Sequence, residues 1–246
     1  MKTSIIRLTI KKLLRKKAWS VLIFYLLFEL ILWFYINTLS DIFVAELFYE
    51  MSISILSILI ITSILLSSVS DIRSEIRDNS IYMIIGKGIK RHHYYISKAI
   101  SVWLFYLPVC LLSSLLLKGI SYFYDASFYS FWITLLVFSL KTIVWSFIFC
   151  AIALFSDYII AISFSLLIWL GSIFLPSLTV GSDFVLLKVI SNVIVPSSSI
   201  FDDLLRADLM NQPVPYWYYF FVLIYAAIYI LLMIFLTRLF WDRKEI

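Results

Sequence analysis

Glycine and proline are scarce in this chain, five of each in 246 residues, and so are the side chains most enzymes work with. There are two cysteines, Cys110 and Cys150, and two histidines, His92 and His93. The glycines (Gly86, Gly88, Gly119, Gly171, Gly181) form no GxxxxGK[ST] loop, so the chain has no phosphate-cradling Walker A segment. There is no HExxH, no GxSxG and no Cys/His spacing suited to zinc. Both cysteines fall within apolar runs, which reads as small buried side chains rather than a disulfide framework. The histidines are adjacent, so they are expected to point apart and to chelate poorly. No catalytic residue and no metal ligand is assigned. The chain reads as a non-enzyme that binds no cofactor of its own.

Charge is also scarce. Charged residues make up 14% of the chain, against about a quarter in an average soluble one. Hydrophobic residues make up 63%, and the mean hydropathy is +1.02. That composition predicts an all-α, polytopic membrane protein forming a single transmembrane domain over residues 1–246. The net charge of +5 therefore gives no reason to expect nucleic acid as a partner; the lipid bilayer is the expected one.

Six spans are expected, at roughly 18–36, 51–70, 99–117, 129–155, 158–175 and 217–237. Residues 1–17 are too charged to cross. Ile6, Thr9, Ile10, Leu13 and Leu14 share one arc of a helical wheel and Arg7, Lys11 and Arg15 another, which predicts an interfacial amphipathic helix. The following apolar run is long and lacks a small-residue cleavage site, so it is expected to be retained rather than removed as a signal peptide. Of 20 Lys and Arg, 16 lie in residues 1–17, in residues 71–98 or after Thr237. All three places fall on one side of a six-span chain, which predicts cytoplasmic termini.

Residues 71–98, DIRSEIRDNSIYMIIGKGIKRHHYYISK, form the one long charged stretch between two spans. An apolar patch, Ile81, Met83, Ile84 and Ile85, lies between its charge clusters. Such a ridge suits docking into a groove on a partner. An ordinary cytosolic connection folded back on the membrane is the other reading.

Residues 176–216 are the second unusual region. Phe184–Val195 is apolar but too short to cross, and Ile190 lies at its middle; with Pro196 ending it, the run predicts an outer re-entrant segment. Ser199 stands three residues before Asp202 and is expected to cap a short helix through Leu209. Serines in the second span divide between two faces, Ser52, Ser63, Ser67 and Ser70 against Ser54, Ser57 and Ser68, which fits either close packing or a polar path. Glu29 and Lys141 lie deepest in the spans, at depths agreeing to about 4 Å. They are expected to seek partners, with each other as the simplest arrangement, and a transport role or separate partners as the alternatives.

Together, the amphipathic helix, six spans, long first cytoplasmic stretch and outer re-entrant segment resemble the permease subunit of type-two ATP-binding-cassette (ABC) exporters. In that family a glutamate precedes a Gly-Thr-Leu-like turn into a helix, followed by an arginine and, seven residues later, a lysine starting the third span. Glu75, Asn79-Ser80-Ile81, Arg91 and Lys98 match that pattern, with Asn79 where the family usually has glycine and Gly88 where a proline commonly precedes the arginine. The resemblance implies a coupling helix within 71–98, with Glu75, Asn79, Ser80, Ile81, Ile84, Ile85, Lys90 and Arg91 as the coupling residues. It also implies a separate ATPase subunit binding ATP and Mg, and a second permease chain, identical or not, completing the path. A bacterial cytoplasmic membrane is the expected location. The expected cargo is an amphipathic peptide, such as an antimicrobial peptide exported for secretion or self-immunity; lipid, polysaccharide, drug and sodium ion are alternatives. An ion-coupled carrier or channel without an ATPase is the reading from another class.

Overall fold

The computed structural model describes residues 2–15, 44–123, 131–179, 196–209 and 214–241, with six isolated positions between 23 and 34. Eight helices are described among them, and no strand: α1 (Lys2–Arg15), α2 (Val44–Arg77), α3 (Ser80–Gly86), α4 (Arg91–Phe123), α5 (Phe131–Phe155), α6 (Tyr158–Thr179), α7 (Ser198–Leu209) and α8 (Tyr216–Trp241). The scarcity of glycine and proline is what lets these helices run long: α2, α5 and α8 contain neither. Their serines and threonines donate back to carbonyls one turn earlier, as Ser63 does to Leu59 at 2.7 Å and Thr237 to Met233 at 2.8 Å. That satisfies a hydroxyl without water, which matters where none is at hand.

Five helices are long and apolar enough to cross a membrane, over Glu50–Arg77, Arg91–Gly119, Phe131–Phe155, Tyr158–Leu175 and Tyr216–Phe240. The first of the six expected spans, 18–36, lies mostly outside the described residues. The six described there are helical, and all but Phe28 turn outward.

Helix α5 is the centre. It is apolar nearly all round, as a helix enclosed by others must be, and it touches α2, α4, α6, α7 and α8. Trp145, Phe149, Val137 and Phe138 are buried on it. By contrast, α6 and α8 each bury one side and turn Ile159, Leu167 and Phe174, or Phe220, Ile224, Leu231 and Phe235, outward. An apolar exterior of this extent fits hydrocarbon rather than water.

Residues 71–98, read from the sequence as one charged connection, are mostly helix. Helix α2 continues to Arg77, and α4 begins at Arg91. Between them stands α3, entered through Asn79, whose φ of 56° is left-handed. Asparagine and glycine tolerate that region because other side chains crowd the following carbonyl. Gly88, at φ 82°, makes the second reversal, and a proline, fixed near −65°, could not stand there. Replacing Asn79 by Val is expected to cost about 1–2 kcal/mol, read as a lower unfolding midpoint, whereas Asn79→Gly is expected to be neutral or stabilising. Equal loss in both variants would mean that the asparagine side chain, not the backbone angle, matters.

Helix α1 lies along α4 and buries Ile5, Thr9 and Leu13, one residue per turn, against the protein. The apolar arc predicted to enter lipid is thus partly spent on the bundle. Leu8 and Leu14 remain outward.

Candidate functional site

Asp71 and Glu75 are one turn apart near the end of α2, so they share a face; Tyr94 and Lys98 are likewise one turn apart on α4. The two faces meet. Lys98 Nζ lies 2.6 Å from Asp71 Oδ2 and 2.6 Å from Glu75 Oε1. Tyr94 donates its hydroxyl to Glu75 Oε2 at 2.5 Å, and Lys98 Nζ stands 5.8 Å from the centre of the Tyr94 ring. Lys12 of α1 closes the group, 2.7 Å from Asp71 Oδ1 and 3.4 Å from Glu75 Oε1, and donates to Ser74 Oγ at 3.0 Å. Two carboxylates face two ammonium groups, so burial leaves no net charge. Burial works against the charge on Lys12. Hydrogen bonding and attraction from Asp71, then from Glu75, more than offset it, and its ammonium titrates above the usual lysine value. Three separate helices, α1, α2 and α4, are pinned at one point.

That point is the base on which α3 is mounted. Ser80 donates to the Glu75 carbonyl at 3.2 Å, tying the start of α3 to the end of α2. Among the residues that the resemblance assigns to coupling, Ile81 is buried, Ser80, Ile84, Ile85 and Arg91 are half-buried, and Asn79 and Lys90 are exposed. Glu75 is 6% exposed, held inside the chain rather than on its surface. Of the apolar patch read from the sequence, Met83 is the side chain that α3 presents, 64% exposed, and Tyr82, which that reading left out, is exposed beside it. Position along a seven-residue helix, not hydrophobicity, decides which residues face out.

A second polar group lies further along the bundle. Lys141 is ten residues into α5, about 15 Å along its axis. Its Nζ sits 2.5 Å from Asp202 Oδ1 and 3.4 Å from Ser57 Oγ. Asp202 is supplied by α7, which buries Phe201, Leu204 and Leu205 against the bundle. Ser172 and Ser198 hydroxyls meet at 3.1 Å, and the Ser197 amide donates to Tyr225 Oη at 2.7 Å, fixing the entry to α7. The helix begins one residue before the expected cap, Ser199. Beside the Lys141–Asp202 pair is a cavity of about 260 Å³ between α2, α5, α6 and α7, into which Glu50, Ser54 and Arg206 also face. Of the two serine faces predicted on α2, the Ser54–Ser57 side lines this cavity, while Ser67 packs near Tyr106, whose hydroxyl donates to it at 3.3 Å.

Glu29, the expected partner of Lys141, lies outside the described residues, as do Phe184 and Ile190; Pro196 is described, buried just before α7. The sequence reading used Asp202 for its spacing from Ser199 and missed its contact with Lys141. Both cysteines are free and buried. His92 and His93 do not point apart, since their ring centres are 4.3 Å from each other. Among the described residues, no group of three His, Cys, Asp or Glu could hold a metal ion. No protein-family model matches the chain, and neither a curated protein nor a solved structure is detectably similar to it.

Proposed function

We propose that the chain is the transmembrane subunit of an ABC exporter in a bacterial cytoplasmic membrane, with both termini on the cytoplasmic side. A separate ATPase subunit, binding ATP and Mg, drives it, and a second permease chain completes the substrate path. The observation that carries this reading is α3. It is a short helix at the basic end of the bundle, presenting Tyr82 and Met83, and its base is locked to α1, α2 and α4 by buried ion pairs. A force applied to α3 is passed directly into two long helices. The proposed cargo is an amphipathic peptide, supported by aromatic-rich spans and short outer segments.

The test is a photo-crosslinking residue at Met83, with the same residue at Leu8 as a control on the same end of the protein. Mass spectrometry of the crosslinked product should show a Walker A protein from position 83 alone. Met83→Glu should weaken recruitment of that ATPase by about 2 kcal/mol, some thirtyfold, without loss of the folded permease. Crosslinks to lipid only at position 83 would sink the proposal. An ion-coupled carrier is the second reading, favoured by the four ionisable side chains around the cavity. It requires transport by the purified chain in vesicles lacking ATP.

A further inference from the structure

The lining of the cavity between α2, α5, α6 and α7 has a charge pattern that narrows what it can hold. Two carboxylates, Glu50 and Asp202, and two cations, Lys141 and Arg206, line it. It is therefore neutral in sum but strongly dipolar. Lys141 is almost wholly buried, its side chain 4% exposed, and is satisfied by one oxygen of Asp202. The Asp202 side chain remains 34% exposed, and a carboxylate with one partner keeps room for a further donor. Arg206 stands one turn from Asp202 on α7, about 6 Å away along the axis, and is exposed. A donor-rich site for an anion and an acceptor site for an ammonium group thus lie a few ångströms apart.

Size and position add to this. A volume of about 260 Å³ is below the roughly 300–1,000 Å³ of pockets that enclose drug-sized ligands. It accommodates a headgroup, not a peptide helix. Ile58 on α2 and Ile173 on α6 line the cavity and are also outward-facing, so its apolar lip is continuous with the exterior of the bundle. A ligand with long tails can leave its head inside and its tails outside.

We propose that this cavity binds the headgroup of a zwitterionic phospholipid, with its ammonium toward Asp202 and Glu50 and its phosphate toward Arg206. With Lys141 and Asp202 paired to each other, a head of one sign would meet Arg206 or Glu50 and leave the other without a partner, whereas a head carrying both signs satisfies both. The inference needs only that the helices lie in a bilayer, and it stands whether or not an ATPase drives the chain.

The experiment is native mass spectrometry of the detergent-solubilised protein with phosphatidylethanolamine, phosphatidylglycerol, or glycerophosphoethanolamine, which has the same head and no tails. The wild type should retain phosphatidylethanolamine about tenfold better than phosphatidylglycerol. Glu50→Gln gives the site a net positive charge and should move that preference about tenfold toward phosphatidylglycerol. Arg206→Gln should lower phosphatidylethanolamine retention by a similar factor. Both residues are exposed, so neither change threatens the fold. Ser54→Phe fills the cavity without touching the ion pair and should abolish the preference. Equal retention of the two lipids by the wild type overturns the proposal, as does a preference that all three variants keep. Glycerophosphoethanolamine binding as tightly as the lipid would overturn it too, since the ligand would then be a soluble zwitterion.

Discussion

Replacing Lys98 by methionine is expected to cost the protein roughly 3–5 kcal/mol. The side chain lies 2.6 Å from both Asp71 and Glu75, with all three buried. Its removal leaves two carboxylates sharing Lys12, which sits at the edge of the group with 29% of its side chain exposed. One carboxylate must then take a proton or draw in water, and either event loosens the contact of α2 with α4. In a thermal melt of the detergent-solubilised protein the expected loss is a fall of about 6–20 °C. Lys12→Met should cost less, because Lys98 still bridges both carboxylates. The decisive variant is the double one. Adding Glu75→Gln to Lys98→Met restores charge balance with Lys12 and keeps an acceptor for Tyr94, so it should recover much of the loss. If Lys98→Met melts with the wild type, or if Glu75→Gln makes it worse, the cluster is not what holds these helices.

The cluster also shows how far the sequence could be read. Asp71 and Glu75, and Tyr94 and Lys98, are each spaced one turn apart, and that spacing is visible in the sequence. What is not visible is the rotation of α2 and α4 about their axes, which decides whether the two pairs meet. Without it, residues 71–98 could be read equally as a docking stretch or as a cytosolic connection folded back on the membrane. In the folded chain α2 runs on to Arg77 because its carboxylates find Lys98 and Lys12 instead of water. The turn at Asn79 was visible only through the resemblance, although its left-handed φ is one that asparagine suits for a local reason. That Tyr82 joins Met83 on the outward face while Ile81 turns in was not visible at all, because it follows from how α3 sits on α2. The positions of five of the six expected spans were the most legible feature: an apolar run of some twenty residues has one low-energy solution in a bilayer.

Asp202 was the least legible residue. It lies in a segment with other acids, Asp203 and Asp208, and composition alone places all three at the outer surface. Only the apolar side of α7, with Phe201, Leu204 and Leu205 buried, brings it down beside the middle of α5. The same burial makes the second large effect asymmetric. Asp202→Asn leaves Lys141 with no carboxylate partner among its described contacts and only Ser57, at 3.4 Å, still close. Stranding a buried ammonium in this way is expected to cost about 3–5 kcal/mol. Lys141→Met is milder. The carboxylate it frees is one-third exposed toward the cavity and can rehydrate, and the methionine fills an apolar site, so about 1 kcal/mol or less is expected. Exchanging the pair, Lys141→Asp with Asp202→Lys, should recover part of the Asp202→Asn loss, though the shorter aspartate on α5 must be met by a longer reach from α7. Thermal melts of the four proteins decide the matter. Equal losses in the two single variants would mean that the charge on Asp202, not the burial of Lys141, sets the energy. Losses below about 1 kcal/mol in both would instead point to a second carboxylate serving Lys141. Glu29→Gln combined with Asp202→Asn would then identify it: a further large loss assigns the role to Glu29, and no further loss excludes it.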